Sequence, residues 1–392
     1  MSSNINRRDL LKKGALLAGG LPFASSLLNE IAAKPKAPYI PASTSNAFLT
    51  DREIGLNAPP ELKARLFANE NPFGPSPKAK QAITEAMASS YQYPFMFSRD
   101  LSQKIATYEG LNEQQLMLGA GSSPLLLAAA ICFSKEGGNI VTGDPTYEDL
   151  PSRTQPFKEQ WIKVPLTADH KLDLDAMEKS INANTGLVYI CNPNNPTATV
   201  VDADKLKAFC ERVSKRVTVF IDEAYIDYLP DPQGTTLMSG VKKGQNIIVA
   251  RTFSKLYGFA GLRVGYIAAQ PETIQKLSNY TEGLMSVSAT SLKAAIAAYQ
   301  DKEFLQGALQ KTIASKEFLY SVLKKEGYDY IPSSANFVMF PVKIDAEKFV
   351  SEMMKRGVGV RPWQFDNKQW CRVSIGRMDE MEAFATAFKE IS

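Results

Sequence analysis

The stretch that decides the fold is NIIVARTFSKLYGFAGLRVGYIAA, Asn246 to Ala269. It begins and ends with short apolar runs, and the glycine-containing segment between them carries Lys255 and Arg263. Apolar, β-branched runs of this length are typical of buried strands. A lysine directly after such a strand lies at the edge of a sheet. In α/β proteins, ligands bind at the edge formed by the carboxyl ends of parallel strands.

Apolar runs of the same kind recur upstream and alternate with helix-like segments. The runs are NIVTGDPTY, TGLVYICNPNNPT and VTVFIDEAY, and the helix-like segments span 122–133, 202–215 and 271–280. Strands that alternate with helices indicate an α/β fold with a mainly parallel sheet covered by helices on both faces. The sequence therefore predicts a large domain over about 78–290.

The pattern changes on either side of this domain. After it, a long helical stretch over 291–327 precedes NFVMFPV, a helix over 346–356, VGVRPW and CRVSIG. This order predicts a second, smaller α+β domain over 291–392. Before the large domain, residues 34–77 are rich in Pro, Ser and Asn, which favours an extended N-terminal arm over a regular element.

Residues 1–33 read as a targeting segment rather than as part of the fold. Arg7 and Arg8 precede an apolar run that Gly19-Gly20-Leu21-Pro22 interrupts. This layout resembles a twin-arginine export signal and predicts a periplasmic or otherwise exported protein. The alternative is a basic, amphipathic first helix on a cytoplasmic protein. No other stretch approaches the roughly 20 uninterrupted apolar residues of a membrane span, so we expect no membrane contact of the mature form.

The composition is that of an ordinary globular protein. Of 392 residues, 44% are hydrophobic and 22% charged, and the net charge is +4. No basic stripe with interleaved aromatic residues occurs, so we expect no nucleic-acid partner. The four cysteines are widely spaced and read as buried thiols, with a disulfide as the alternative. The single histidine, His170, reads as a turn residue rather than a catalytic one, and no metal site is expected.

Polar side chains follow the predicted strands where they end, or lie in turns beside them. Taken singly, each has an ordinary structural explanation as a surface lysine, a capping carboxylate, a core aromatic or a turn residue. Their order on successive strand ends indicates instead that they surround one ligand. These side chains are Ser122, Ser123, Tyr147, Asn195, Asp222, Tyr225, Ser254, Lys255 and Arg263.

Pyridoxal phosphate is a cofactor that requires such a set. Lys255 can form a Schiff base with its aldehyde, and Asp222 can keep its ring nitrogen protonated. Asn195 and Tyr225 can bond to its phenolic oxygen, and Tyr147 can stack on its ring. Hydroxyls at a helix N-terminus and a guanidinium suit its phosphate. The groups expected around the phosphate are Ser122, Ser123, Ser254 and Arg263.

The sequence resembles the fold-type I pyridoxal-phosphate aminotransferases of class I/II, and most closely their histidinol-phosphate aminotransferase branch. The resemblance runs from about Arg65 to the C-terminus. It rests on NENPFGPSP, YQYP, GAGSSPLL, DPTY, CNPNNPT, IDEAY, RTFSKLYGFAGLRVG, GVGVRPW and CRVSIG. It implies a mainly parallel, seven-stranded sheet in the large domain, and a homodimer with shared active sites. It also implies an amino donor and a 2-oxo acid as substrates.

The resemblance also implies roles for individual residues. Lys255 is the Schiff-base lysine and the proton carrier, Asp222 is the ring-nitrogen partner, and Asn195 and Tyr225 are the partners of the phenolic oxygen. Tyr147 is the stacking residue. The remaining cofactor contacts are the phosphate groups Ser122, Ser123, Ser254 and Arg263.

At the substrate end, the resemblance implies that Arg372 grips the α-carboxylate as a bidentate fork, beside Asn195. Arg361 lies near the distal end of the substrate, and Tyr93 reaches the cofactor phosphate from the neighbouring subunit. Two positions depart from the family. Pro124 replaces an acidic residue but is tolerable early in a helix. Ala198 replaces a glycine and is expected to need a negative φ.

The implied activity is amino-group transfer in two half-reactions, from an amino acid or amino-phosphate donor to a 2-oxo acid. Export argues for a donor other than histidinol phosphate, since histidine biosynthesis is cytoplasmic. One alternative is a decarboxylase of a phosphorylated amino acid, which would keep the same phosphate cradle and lysine. The other is a non-catalytic binding protein that retains the fold.

Overall fold

The computed structural model describes residues 61–391 apart from 135, 136 and 300. The predicted export signal (1–33) and most of the predicted arm (34–77) lie outside the described residues. Among the described residues, no helix combines the length and apolar character needed to cross a bilayer. The same part of the chain has no group of three or more His, Cys, Asp or Glu side chains placed to hold a metal ion.

A seven-stranded sheet in the order β2-β8-β7-β6-β5-β3-β4 forms the centre of the molecule. Strands β4, β3, β5, β6 and β7 run parallel, and β8 is antiparallel to both of its neighbours. The predicted mainly parallel α/β fold is therefore confirmed. The strands are β1 (Ala64–Arg65), β2 (Leu116–Gly119), β3 (Asn139–Asp144), β4 (Gln160–Pro165), β5 (Thr185–Cys191), β6 (Thr218–Asp222), β7 (Ile247–Thr252), β8 (Gly265–Ala268), β9 (Phe337–Pro341), β10 (Val358–Gly359), β11 (Arg361–Phe365) and β12 (Lys368–Ser374).

The helices alternate with the strands of this sheet, as the sequence predicts. The stretch 291–327 is two helices rather than one, because Tyr299 leaves helical backbone geometry at the end of the first. The helices are α1 (Pro77–Ala86), α2 (Phe95–Glu109), α3 (Ser123–Phe133), α4 (Asp149–Ser152), α5 (Leu174–Ser180), α6 (Ala203–Val213), α7 (Pro232–Thr235), α8 (Met238–Lys242), α9 (Pro271–Ser278), α10 (Ala289–Ala298), α11 (Lys302–Lys325), α12 (Ala346–Lys355) and α13 (Met378–Lys389).

Strand β5 shows why the central runs are continuously apolar. All of its residues are buried. Val188 and Ile190 belong to the hydrophobic core on one face of the sheet, whereas Leu187 and Tyr189 belong to the core on the other. Since successive side chains of a strand point to opposite faces, a sheet covered on both sides needs apolar residues at every position.

The C-terminal region is built on an antiparallel sheet in the order β11-β12-β9. Its core contains Phe340, Phe384 and Phe388, which are fully buried. Strand β1 lies within the predicted arm and pairs in parallel with β10, so part of this segment is regular structure. The division into domains 78–290 and 291–392 stays a prediction.

The expectation for the backbone of Ala198 is wrong. Its φ is +57°, in the left-handed region that costs an alanine about 1–2 kcal/mol. Two hydrogen bonds hold it there: its N–H donates to Asn194 O at 2.8 Å, and its carbonyl accepts from Ser334 N at 2.8 Å. Pro124 lies in the first turn of α3, where proline is tolerated.

Candidate active site

A cavity of about 560 Å³ opens at the carboxyl ends of β5, β6 and β7. Strands β5 and β6 end at Cys191 and Asp222, and β7 ends at Thr252, and all three residues line the cavity. Every predicted site residue except Tyr93 lines it as well. Those residues are Ser122, Ser123, Tyr147, Asn195, Asp222, Tyr225, Ser254, Lys255, Arg263, Arg361 and Arg372.

Asp222 is a carboxylate held in a buried environment by neutral donors. It is 2% exposed and accepts hydrogen bonds from Ala224 N at 3.0 Å and from the Tyr189 hydroxyl at 3.2 Å. Burial raises the pKa of Asp222 to about 6, although these two hydrogen bonds and the charge of Lys255 act in the opposite direction. A protonated ring nitrogen placed beside this carboxylate would supply the cation that it lacks.

Lys255 is a half-buried amine directly beyond β7. Its Nζ donates to the carbonyl oxygen of Asn69 at 3.2 Å and lies 5.3 Å from the centre of the Tyr225 ring. Burial, and then the positive charge of Arg372, lower the pKa of Lys255 to about 8. A substantial fraction of this amine is therefore neutral, and so nucleophilic and basic, slightly above neutral pH.

Tyr147 and Tyr225 are the two tyrosines in the cavity wall. The Tyr225 hydroxyl accepts a hydrogen bond from Asn69 Nδ2 at 3.0 Å, and its ring meets that of Phe337 edge-on at 5.0 Å. Burial raises the pKa of both phenols well above the ordinary value, so both stay neutral hydroxyls. Tyr225 can therefore donate its proton to an anionic oxygen in the cavity.

The other end of the cavity is suited to an anion. Ser122 is the N-cap of α3 and its side chain makes no capping hydrogen bond, which leaves the hydroxyl available beside the positive end of the helix dipole. Across from it, Arg263 Nη1 donates to Ser254 Oγ at 3.4 Å and to Ala260 O at 2.9 Å. A Cβ on Gly121 would lie 2.3 Å from Arg263 Nη2, so only glycine admits this approach.

A pair of buried arginines forms another part of the cavity wall. Arg361 and Arg372 are directly opposed on β11 and β12, and are 7% and 2% exposed. Arg372 donates to Asn195 Oδ1 at 2.7 Å and to Phe67 O at 2.9 Å, while its Nε is buried without a partner among the described residues. Burial, and then the charge of Arg361, lower the pKa of Arg372 to about 9. A carboxylate here would relieve the repulsion between the two cations.

Asn69 is a cavity residue that the sequence analysis did not single out. It is 1% exposed, with φ +54°. Its backbone N–H donates to Ser374 Oγ at 2.8 Å, and its carbonyl accepts from Asn336 Nδ2 at 3.1 Å, besides its contacts with the lysine and Tyr225. The motif NENPFGPSP, which begins at Asn69, could have indicated the left-handed backbone of this residue. Asparagine tolerates that conformation better than other non-glycine residues. Further lining residues are Arg65, Glu70, Glu148 and Trp363.

Tyr93 lies apart from the cavity. It is 75% exposed and belongs to a run of exposed apolar side chains at the start of α2. The structure therefore does not bring Tyr93 to the site within one chain. The other exposed members of this run are Met87, Tyr91, Phe95 and Met96.

His170 and three of the four cysteines lie outside the cavity wall. His170 is half-buried and meets the rings of Phe365 and Trp370 edge-on at 6.0 and 5.4 Å, and it does not line the cavity. Its φ of +60° fits the predicted turn.

All four cysteines are free thiols, so the disulfide alternative is wrong. Cys191 lines the cavity, and burial raises its pKa, so this thiol stays protonated.

The donor set of this cavity fits pyridoxal phosphate. Lys255 offers an amine to an aldehyde, Asp222 a carboxylate to a ring nitrogen, and Tyr225 a hydroxyl to a phenolic oxygen. The α3 N-terminus and Arg263 form a cradle for the phosphate, and Gly121 leaves room there for the Arg263 guanidinium.

Comparisons with known proteins agree with this chemistry. The family model described as aminotransferase class I and II matches residues 63–388. Histidinol-phosphate aminotransferases of Moorella thermoacetica and Caldicellulosiruptor saccharolyticus are each 35% identical over 356 residues. These alignments cover 90% of this chain and 90% of the first relative, and 91% of this chain and 97% of the second.

A solved structure of a relative has a similar fold. The histidinol-phosphate aminotransferase of Sinorhizobium meliloti, in complex with pyridoxal-5'-phosphate, superposes with a TM-score of 0.79 at 27% identity. The match covers 90% of this chain and 97% of that one. The chain belongs to the class I and II aminotransferases, and it is a fold-type I, pyridoxal-phosphate-dependent transaminase of the histidinol-phosphate aminotransferase-like branch.

Proposed function

We propose that Lys255, Asp222 and Arg372 carry the transaminase reaction, and that the amino donor is an α-amino carboxylate. One observation supports this most strongly. A single cavity holds an amine of lowered pKa, a carboxylate without a cationic partner and a buried guanidinium with an unused N–H. Each group lacks the counterpart that the cofactor or the substrate would bring.

Bound pyridoxal phosphate supplies an electrophilic carbon and an electron-withdrawing ring. The protein's residues supply the rest of the chemistry. Arg372 binds the donor carboxylate and thereby orients the Cα–H bond toward Lys255. Lys255, neutral in part because its pKa is about 8, takes the Cα proton on Nζ.

The other groups hold this geometry. Asp222 keeps the ring nitrogen protonated, because a carboxylate at this depth favours a cation beside it. Tyr225 donates to the phenolic oxygen. Asn195 Oδ1 is occupied by Arg372, so its Nδ2 is the atom left to bond to that oxygen, and the amide links the cofactor and carboxylate positions. The phosphate cradle, formed by the α3 N-terminus and Arg263, holds the phosphate, and Tyr147 holds the ring.

The test is a donor screen with the purified protein. The visible absorbance band of the bound cofactor should bleach when a suitable α-amino acid is added without acceptor, and should return when a 2-oxo acid follows. Protein that binds the cofactor but shows no bleaching with any donor would contradict the proposal. Release of carbon dioxide without a 2-oxo acid product would establish the decarboxylase alternative.

Histidinol phosphate is the second candidate donor. The observation in its favour is that relatives covering most of the chain carry the name histidinol-phosphate aminotransferase. Arg361 and Arg372 would then face a phosphate instead of a carboxylate. In the same screen, bleaching by histidinol phosphate at far lower concentrations than any α-amino acid would support this donor over the first.

A homodimer with shared sites would complete the cradle. Arg263 is exposed in the single chain, although it forms one wall of the anion site. The exposed apolar run around Tyr93 is the surface that we assign to the contact with a second copy. Phe95→Glu should yield a monomer with weakened cofactor binding, measured by light scattering and by titration with the cofactor. A wild-type monomer that binds the cofactor fully would contradict the shared site.

Export by the twin-arginine route is the proposal for localisation. It rests on the segment 1–33, which lies outside the described residues. A tagged protein should appear in the exported fraction, and replacement of Arg7 and Arg8 by lysine should retain it in the cytoplasm. Equal distribution of the two proteins would support the cytoplasmic alternative.

A further inference from the structure

The cavity wall beyond the arginine pair contains an acidic residue that the mechanism above does not use. Glu148 follows Tyr147 directly and lines the cavity together with Arg361 and Trp363. It is half-buried, and its carboxylate makes no hydrogen bond or ion pair with the described residues. Burial raises its pKa, and the positive charges of Lys163 and Arg361 act in the opposite direction.

Trp363 adds a second unused group to the same wall. It lies two residues beyond Arg361 on β11, so both side chains point to the same face of the strand. Trp363 is 7% exposed, and its indole N–H is buried without a partner among the described residues. Buried donors and acceptors are almost always satisfied in proteins, so a ligand that reaches this wall gains by pairing with them.

The charges of the cavity divide between its two ends. The phosphate cradle and Asp222 are matched by the cofactor, and Arg372 by the donor carboxylate. Arg65 and Glu70 pair with each other at 2.7 Å. The donor side chain then faces the Glu148 carboxylate and the Trp363 indole N–H, which line the cavity beside Arg361.

A dianionic side chain fits this wall poorly, because the Glu148 carboxylate would repel it. A cationic side chain fits poorly as well, because Arg361 and Lys163 lie near the same carboxylate. An uncharged side chain that donates a hydrogen bond to Glu148 and accepts one from Trp363 would satisfy both unused groups.

We propose that Glu148 is a specificity-determining residue that selects amino donors with an uncharged, hydrogen-bonding side chain, such as a carboxamide, and rejects donors whose side chain carries a phosphomonoester. This inference rests on the proposed transaminase function. It assigns the donor side chain to the wall formed by Glu148 and Trp363.

The experiment compares three donors with the cofactor-loaded protein: glutamine, norleucine and O-phosphoserine. The quantity measured is kcat/KM for bleaching of the visible cofactor band. In the wild type, glutamine should be preferred over norleucine. Glu148→Ala should reduce the glutamine-to-norleucine ratio about 10- to 100-fold, the usual effect of losing a hydrogen bond to a charged group.

Glu148→Gln tests the charge separately, because glutamine can still accept a hydrogen bond. It should keep most of the preference for glutamine and raise kcat/KM for O-phosphoserine about 10-fold. This variant also covers the case in which the alanine variant does not fold. Glu382→Gln removes an exposed carboxylate on α13 as a matched control and should change none of the three values.

The outcomes separate this inference from the function on which it rests. If the wild type bleaches but Glu148→Gln and Glu148→Ala leave the three-donor pattern within twofold, the specificity role is overturned and the transaminase function stands. If no donor, including histidinol phosphate, bleaches the band of the wild type, both are overturned.

Discussion

Two neighbouring carboxylates at the end of β6 have different hydrogen-bond and ion-pair partners. Asp222 and Glu223 are each 2% exposed, and they point to opposite sides of the sheet because successive residues of a strand alternate. Glu223 accepts from Arg251 Nε at 3.0 Å, Thr236 Oγ1 at 2.8 Å and Leu237 N at 2.7 Å. Among the described residues, the Asp222 carboxylate accepts only from two neutral donors, Ala224 N and the Tyr189 hydroxyl.

The difference distinguishes a structural ion pair from a functional group. Glu223 has the cation and the hydrogen bonds that a buried carboxylate requires, and Glu109 shares the same arginine at 3.3 Å. Asp222 forms no ion pair with the described residues, and burial raises its pKa to about 6. A protein keeps such an unbalanced group where a ligand supplies the missing charge.

Substitutions of Lys255 and Asp222 should slow the reaction more than any other change. Lys255→Ala should reduce the rate of the donor half-reaction about 10⁴-fold, because the Cα proton loses its acceptor. Asp222→Asn should reduce it about 10²- to 10³-fold, the usual effect of one electrostatic contact in an active site. Stopped-flow absorbance measures both rates, and circular dichroism should show unchanged folds. A tenfold or smaller loss in Lys255→Ala would show that another base takes the proton.

Substitution of Glu223 should lower the stability of the protein and leave its reaction rate nearly unchanged. Glu223→Gln leaves the Arg251 guanidinium with an incomplete partner set, so we expect the free energy of unfolding to fall by about 3–5 kcal/mol. The rate per folded molecule should stay within a few-fold of the wild type. Chemical denaturation and the half-reaction rate, measured on the same sample, check both. A stable but inactive Glu223→Gln protein would remove the distinction between the two carboxylates.

The stability of the cofactor-free protein should depend on pH through the raised pKa of Asp222. The folded pKa of Asp222, about 6, lies above its ordinary value of 3.8, so the folded state binds the proton more tightly. The stability that this proton contributes is present below pH 3.8 and is lost as the pH rises through 6. The loss is about 3 kcal/mol for a shift of this size.

Asp222→Asn cannot titrate and should lack this loss. Denaturation midpoints of the cofactor-free wild type and variant, compared at pH 4.5 and 7.0, measure the difference. The variant should gain stability relative to the wild type over this interval. Parallel behaviour of the two proteins would mean that Asp222 has an ordinary pKa.

Substitution of Ala198, in the turn that contains Asn195, should change stability only slightly. Ala198→Gly should change the free energy of unfolding by less than about 1 kcal/mol. Relief of the left-handed backbone is offset by the entropy of glycine and by the loss of a buried methyl group. Ala198→Val is the contrasting variant and should be clearly destabilising, since β-branched residues tolerate this backbone least. Equal stability of the two variants would show that the backbone at this position is unstrained.

The cofactor end of the cavity was predictable because each of its residues follows a strand of the central sheet. Asp222, Lys255 and Asn195 come directly after apolar runs, and the topology of a parallel sheet brings such positions together. The substrate end was less predictable. Arg361 and Arg372 were placed by resemblance, and their direct opposition depends on the register of β11 and β12, which local sequence does not reveal.

Other features depend on tertiary contacts that local sequence does not reveal. Asn69, Glu148 and Trp363 reach the cavity from a loop, a turn and an outer strand. Ala198 has a left-handed backbone because two tertiary hydrogen bonds outweigh its intrinsic preference. The pairing of Glu223 with Arg251, next to the unpaired Asp222, is likewise a product of tertiary packing. Side-chain partners across the fold, rather than propensity, decide these cases.

Reductive trapping tests the assignment of Lys255 as the lysine that binds the cofactor. Borohydride reduction of the cofactor-loaded protein, followed by proteolysis and mass spectrometry, identifies the lysine to which pyridoxal phosphate is bound. We predict a single labelled peptide that contains Lys255, and no label in Lys255→Ala. Labelling of a different lysine in the wild type, or undiminished labelling of Lys255→Ala, would contradict the account.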